Sequence, residues 1–194
     1  MSRRELLRVL AAVPAAGFLD LPTLERASRH ARTAVQQTTP YTAAFFTPHE
    51  LETVTLLADL VIPRDDRSGS ASDAGVPAFI DFMMIDRPAL QLPIRGGLAW
   101  LDAECHERFR RTFIAASAGE RTAILDDIAW PARAPAQLSQ GVAFFNRFRD
   151  LVASGFWSSK MGMEDLHFLG NRPTPVWNGC PEPVLRQLGV AYDD

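Results

Sequence analysis

The stretch TPHELETVTLLADLVIPRDDRSGSASDAGVPAFIDF, Thr47 to Phe82, reads as helix, stop, turn and second helix, and the rest of the chain is arranged around it. Thr47 can cap the first helix, Pro48 suits the first helical position, and Glu50 completes a Thr-x-x-Glu capping box. Leu51, Val54, Ala58 and Val61 recur at spacings of three and four, and Leu57 and Leu60 widen that stripe. So broad a stripe predicts a helix buried on more than one side. Pro63 ends it, because the residue before a proline is pushed out of the helical region. Residues 64 to 75 lack periodicity and are rich in turn formers, which predicts a surface loop. The run VPAFIDFMMID (76 to 86) resumes an apolar helix.

Upstream, the chain opens with arginines and a short apolar run. Arg3 and Arg4 precede an uncharged stretch from Val9 to Leu19. Its length fits a secretory signal and falls short of the roughly 20 residues a membrane-spanning helix needs. Ser2, Arg3, Arg4, Leu6 and Leu7 follow the twin-arginine pattern, with Leu6 where phenylalanine is commonest. The bland counterpart is an amphipathic N-terminal helix with two solvated arginines. Residues 1–19 are therefore read as an export signal, residues 20–46 as a connector with a solvated His30, and residues 47–194 as the folded body.

Downstream, Pro88 and Pro93 bracket a linker, and Gly96-Gly97 open a long helix carrying Leu98, Leu101, Cys105, Phe109, Thr112 and Ala116. Glu104 with Arg108 and Glu107 with Arg111 are i,i+4 pairs on its outer side. Ser117 and Glu120 form a second capping box before Ala123, Ile124 and Ile128. A further helix from Ser139 buries Phe144, Phe145, Phe148, Leu151 and Val152. No sustained period-two alternation marks a strand. The chain is predicted to be all-α, a single compact helical domain with an irregular aromatic, Gly- and Pro-rich C-terminal tail. That tail, from Gly155 to Pro181, carries large aromatics on irregular backbone. They either plug the helical core, the reading favoured here, or form a partner surface of the kind protein interfaces enrich.

Composition narrows the function classes. The 194 residues are 47% hydrophobic and 22% charged, as in one globular domain. Net charge is −3: residues 1–40 hold six arginines and three acids, leaving 14 basic and 20 acidic residues for the remainder. A body at −6 leaves no electrostatic footprint for nucleic acid.

The motifs that carry chemistry are missing. His30, His49, His106 and His167 make no metal-ligand spacing, and Cys105-His106 point about 100° apart on a helix. No glycine-rich phosphate loop and no nucleophile elbow occurs. Asp65, Asp66 and Asp73 lack the ligand order of a calcium loop and read as a solvated turn. Cys105 lies on an apolar stripe as a buried thiol, and Cys180 sits in an accessible Gly-Cys-Pro loop. In an exported protein such a pair permits one disulfide, between Cys105 and Cys180 or to another chain.

The order LADLVIP, polar turn, Ala74-Gly75-Val76, then Phe79-Ile80-Asp81-Phe82 resembles the gluconate 2-dehydrogenase subunit 3 family. The likeness continues through Gly97-Leu98 to Leu101-Asp102, Phe113 before Glu120-Arg121, and a helix running into Gly155-Phe156-Trp157. It covers roughly residues 45 to 180; the Ser-rich turn at 68 to 72 and the extra prolines of the tail depart from it. The resemblance implies the non-catalytic small subunit of a periplasmic, membrane-associated sugar or polyol dehydrogenase. Its large partner would be a flavoprotein of the glucose–methanol–choline type holding FAD, with electrons leaving through a cytochrome c subunit. The small subunit would bind no cofactor or metal, have no transmembrane helix, aid folding of the partner, and carry the twin-arginine signal for both. Phe156, Trp157, Trp177 and Cys180 are the interface candidates. A free-standing periplasmic enzyme or ligand-binding protein using Asp65, Asp66 or His167 is the alternative, and an export chaperone that leaves its partner is a third reading.

Overall fold

The computed structural model describes residues 21–36, 41–168, 170, 176 and 179–191. Among them the chain is all-α, without a strand. The helices are α1 (Leu21–Gln36), α2 (Pro48–Val61), α3 (Val76–Asp86), α4 (Gln91–Phe109), α5 (Ala118–Ile128), α6 (Ser139–Trp157), α7 (Lys160–Asp165) and α8 (Glu182–Leu188). The interior is built on α3 and α6, with α1, α2, α4, α5 and α7 packed about them.

The opening stretch folds as its residues dictate. Thr47 accepts the Glu50 N–H while the Glu50 carboxylate accepts the Thr47 N–H, and Pro48 begins the helix. Val54, Leu57 and Ala58 of α2 are buried, but Leu60 is exposed, so the stripe covers less of the helix than the sequence suggests. The loop after α2 departs further from expectation. Ala71 is fully buried, and Asp59 of α2 accepts both the N–H and the hydroxyl of Ser72 at 2.7 Å. The turn is thereby fastened to the helix that precedes it. Gly75 ends it at φ +81°, where a Cβ would also lie 2.9 Å from the Ala31 carbonyl oxygen of α1. Glycine is needed there for conformation and for clearance alike.

α3 is apolar almost all round, with Val76, Phe79, Ile80, Met83 and Met84 buried. α4 begins earlier than the two glycines suggest. Pro93 is accommodated in its first turn, where a missing N–H costs no intrahelical bond. Gly97 lies inside the helix because Phe144 of α6 packs on it: a Cβ would meet that ring at 1.9 Å. Gly141 admits Trp100 in the same way, at 2.2 Å, so α4 and α6 cross closely. α4 stops at Phe109 because Arg110 turns left-handed, with φ 58°. Thr112 and Ala116 therefore lie in a loop rather than on the helix. Arg111, displaced from the helix, faces Glu120 at 3.8 Å instead of Glu107. The Glu104–Arg108 pair does form, and Arg108 also reaches Asp127 at 2.6 Å.

Residues 21–36 are part of the body and not a connector. Ala27 and Ala31 of α1 are buried, Ser28 donates to Ser158 at 2.7 Å, and Arg26 pairs with Asp86 at 3.1 Å. His30 is half-buried rather than solvated, with its ring against Phe82 and Nε2 3.2 Å from the Tyr41 hydroxyl.

Candidate partner surface

The aromatic candidates separate by burial. Phe156 is fully buried in the core, on the inner side of α6. Its place as an interface anchor is corrected: an aromatic with no exposed surface serves packing. α6 reaches Trp157 because Gly155 seats against the Phe79 ring, so the helix continues where the glycine suggests an irregular tail. Trp157 is half-buried, edge-on to Phe156 at 5.0 Å, and its indole N–H has no acceptor. Trp177 lies outside the described residues, as do Ser2, Arg3, Arg4, Leu6 and Leu7 of the export signal.

Cys105 is buried in α4, whereas Cys180 lies exposed before α8, and no bridge joins them. Burial pushes the Cys105 thiol up, and the negative charge of Asp102 adds to it. A protonated thiol in an apolar setting is inert.

The residues of the enzyme alternative are engaged in local structure. Asp65 Oδ1 accepts the N–H groups of Arg67 and Ser68, and Asp73 accepts from Arg64, Ser70 N–H and the Ser70 hydroxyl. Asp66 is exposed, and His167 caps the turn after α7 at φ 53°. Arg67 ties this loop to the end of α7 by donating to the Asp165 carbonyl at 2.8 Å. Among the described residues no three His, Cys, Asp or Glu side chains converge to hold a metal ion.

Apolar exposure is uneven along the chain. Among the described residues, six of the twelve exposed large hydrophobic residues are Leu166, Phe168, Val176, Val184, Leu188 and Val190. They fall within the last part of the chain, after α6 has closed the core. Exposed apolar side chains are where another protein could be met, and here they follow α6 in sequence. No helix among the described residues is long and apolar enough to cross a membrane.

Two buried polar groups escaped the sequence reading. Asp81 sits in the middle of α3 with no exposed surface. Its oxygens accept the N–H groups of Ala44, Phe45 and Phe46 and the Tyr41 hydroxyl, at 2.8–3.1 Å. An aspartate in an otherwise apolar run was the available signal. Burial raises the Tyr41 phenol well above its usual value, with the Asp81 hydrogen bond and charge adding to it. The bend at 44–46 is thereby pinned, and Phe45 supports Arg95, whose guanidinium lies 4.1 Å from its ring. Arg95 in turn pairs with Glu50 at 2.7 Å. Partial burial pushes the Glu50 carboxyl up, but hydrogen bonds from Arg95 and Thr47 outweigh it and hold it below the usual range. The second group is Arg149 of α6, buried and without a hydrogen bond at Nε.

An all-α body without a converging set of catalytic or metal-ligating side chains among its described residues leaves the comparison with known families to say more. The chain belongs to the gluconate 2-dehydrogenase subunit 3 family, whose model matches residues 48–179. The family's name is that of one subunit of an oxidoreductase complex, which assembles with other subunits. No curated protein and no solved structure matches the chain.

Proposed function

We propose that this chain is the non-catalytic small subunit of a periplasmic FAD-dependent dehydrogenase acting on gluconate, a sugar or a glycoside. Its partner would be a glucose–methanol–choline-type flavoprotein that holds the FAD, with a cytochrome c subunit as the electron exit. The family match across the helical body carries this reading. The apolar side chains left exposed from Leu166 to Val190 support it as surface that a partner subunit could cover. The small subunit would aid folding of the flavoprotein and bring it through the twin-arginine route, a path that accepts folded cargo.

The test is co-expression of the tagged chain with the flavoprotein of its genomic neighbourhood, followed by a spectrum of the periplasmic eluate. Flavin bands with a stoichiometric large subunit are expected. Replacing Arg3 and Arg4 by lysine should then leave both chains in the cytoplasm. A colourless, solitary chain in the periplasm would overturn the subunit reading. Turnover by that chain, lost on replacing Asp65, Asp66 and His167 by alanine, would establish the enzyme alternative.

A further inference from the structure

A connector over residues 20–46 could be cut anywhere by the peptidase that removes an export signal. The structure narrows the choice, because residues 21–36 of that stretch are α1. Thr23, Ala27, Ser28 and Ala31 line its buried side, with Ala27 wholly out of solvent. The Ser28 hydroxyl donates to Ser158, just past α6, at 2.7 Å. Arg26 pairs with Asp86 at the end of α3, and His30 meets the Tyr41 hydroxyl, which itself donates to Asp81. At the start of α3, Gly75 lies so near the Ala31 carbonyl that a Cβ would sit 2.9 Å from its oxygen. α1 is thus fastened at both ends of α3 and at the end of α6.

A peptidase binds its substrate as extended chain, and a helix held by packing presents that form only after leaving the body. The order of events decides whether α1 leaves. The twin-arginine route carries folded cargo, so α1 is already docked when the signal meets the peptidase. A cut within 21–36 would need α3, Ser158 and Tyr41 all to release it first. The bond therefore lies ahead of Leu21, where the small residues a signal peptidase requires narrow it further. Two sets are present, Val13-Pro14-Ala15 and Ala15-Ala16-Gly17. A cut after Gly17 leaves three residues before Leu21, about 10 Å of extended chain. A cut after Ala15 leaves five, about 17 Å. The peptidase must hold residues on both sides of the bond clear of the folded body, and the longer reach favours Ala15.

We propose that the export signal is removed between Ala15 and Ala16, so that α1 is retained as the first helix of the mature chain. This rests on the export reading above. The step is a hydrolysis: water adds across the Ala15–Ala16 amide, leaving a carboxylate on Ala15 and an α-amino group on Ala16. The mature N-terminus then stands five residues ahead of Leu21, and none of the contacts of α1 is lost.

In the experiment the full chain is expressed with its own leader, and intact mass and N-terminal sequence are read on the periplasmic protein. A chain beginning at Ala16 is expected. Ala15→Leu, which puts a large residue at the cut, should abolish that product, and Gly17→Leu should leave it unchanged. A periplasmic chain that begins at Phe18, within 21–36 or beyond, or that keeps its leader, overturns the proposal. Brief trypsin treatment of the periplasmic protein tests the docking of α1 separately, since Arg26, Arg29 and Arg32 lie on its exposed side. Cleavage there should be slower than in the urea-unfolded chain by about tenfold or more. Equal rates would mean that α1 does not stay docked, which overturns the proposal too. If the protein stays in the cytoplasm with its leader intact, and Arg3→Lys with Arg4→Lys changes nothing, the export reading itself fails and takes this inference with it.

Discussion

Asp81 and Arg149 are both buried charges on the two central helices, and the fold treats them in opposite ways. Asp81 on α3 collects three backbone N–H groups and a phenol, so its desolvation is offset inside the chain. Arg149 on α6 has no hydrogen bond at Nε and meets Asp150 through charge alone. The first holds the segment before α2 against the core by a full set of donors. The second ties no segment down. Burial of a charge, then, is informative only together with the count of its partners.

The strongest way to break this contrast is to remove the satisfied charge. Asp81→Ala leaves three amide donors and the Tyr41 hydroxyl without their acceptor. Each buried unsatisfied donor costs about 1–3 kcal/mol, and some will find water, so about 3–5 kcal/mol of stability should be lost. Urea unfolding of the full chain measures it. A loss under about 1 kcal/mol would show that the segment from Ala44 to Phe46 holds itself in place without Asp81. Arg149→Met, which removes no donor or acceptor that another group relies on, should change stability by no more than about 1 kcal/mol in the same assay. A smaller effect is expected where α4 and α6 cross. Gly97→Ala drives a Cβ into the Phe144 ring, and overpacking of this kind costs about 1–3 kcal/mol. Equal urea midpoints for the variant and wild type would mean that the crossing relaxes freely.

How much of this was legible in the sequence depends on how local the cause is. The caps at Thr47 and Ser117 are contained in four residues each, and both form. The apolar helix at 76–86 and the aromatic stripe of α6 are likewise carried by their own residues. α1 was read as a connector because its buried side is made of Thr23, Ala27, Ser28 and Ala31, which give little hydrophobic contrast. Small residues of that kind suit close approach to α3, and only the partner helix reveals it. Gly155 beside Phe156 suggested broken helix, which left that aromatic open between a core plug, the favoured reading, and an interface anchor. The glycine is there to admit Phe79, a tertiary reason that no local pattern states. The burial of Arg149 is a further case, since a charged residue within α6 gives no local sign of what packs over it.

Tyr41 sharpens the comparison at one of the four donors. Tyr41→Phe removes one hydrogen bond to the Asp81 carboxylate, so about 1.5 kcal/mol should be lost near neutral pH. The phenol also sets an alkaline limit. Its folded-state pKa is raised, so its contribution is fully present below the unfolded tyrosine value of about 10 and is lost as pH rises above it. Wild type should therefore lose stability between about pH 10 and 12 more steeply than Tyr41→Phe. Parallel curves for the two proteins would mean that Asp81 holds its backbone donors without help from the phenol.

The smallest expected change in the isolated chain comes from the exposed end. Phe168 is 63% exposed, so Phe168→Ala should move its stability by no more than about 0.5 kcal/mol. Binding to the partner is where the change should show. If the apolar end is covered in the complex, Phe168→Ala weakens binding without touching the melting temperature. Because the change removes apolar area and no charge, that loss should not depend on salt. A loss that shrinks as salt is raised would assign the contact to charge and not to apolar burial.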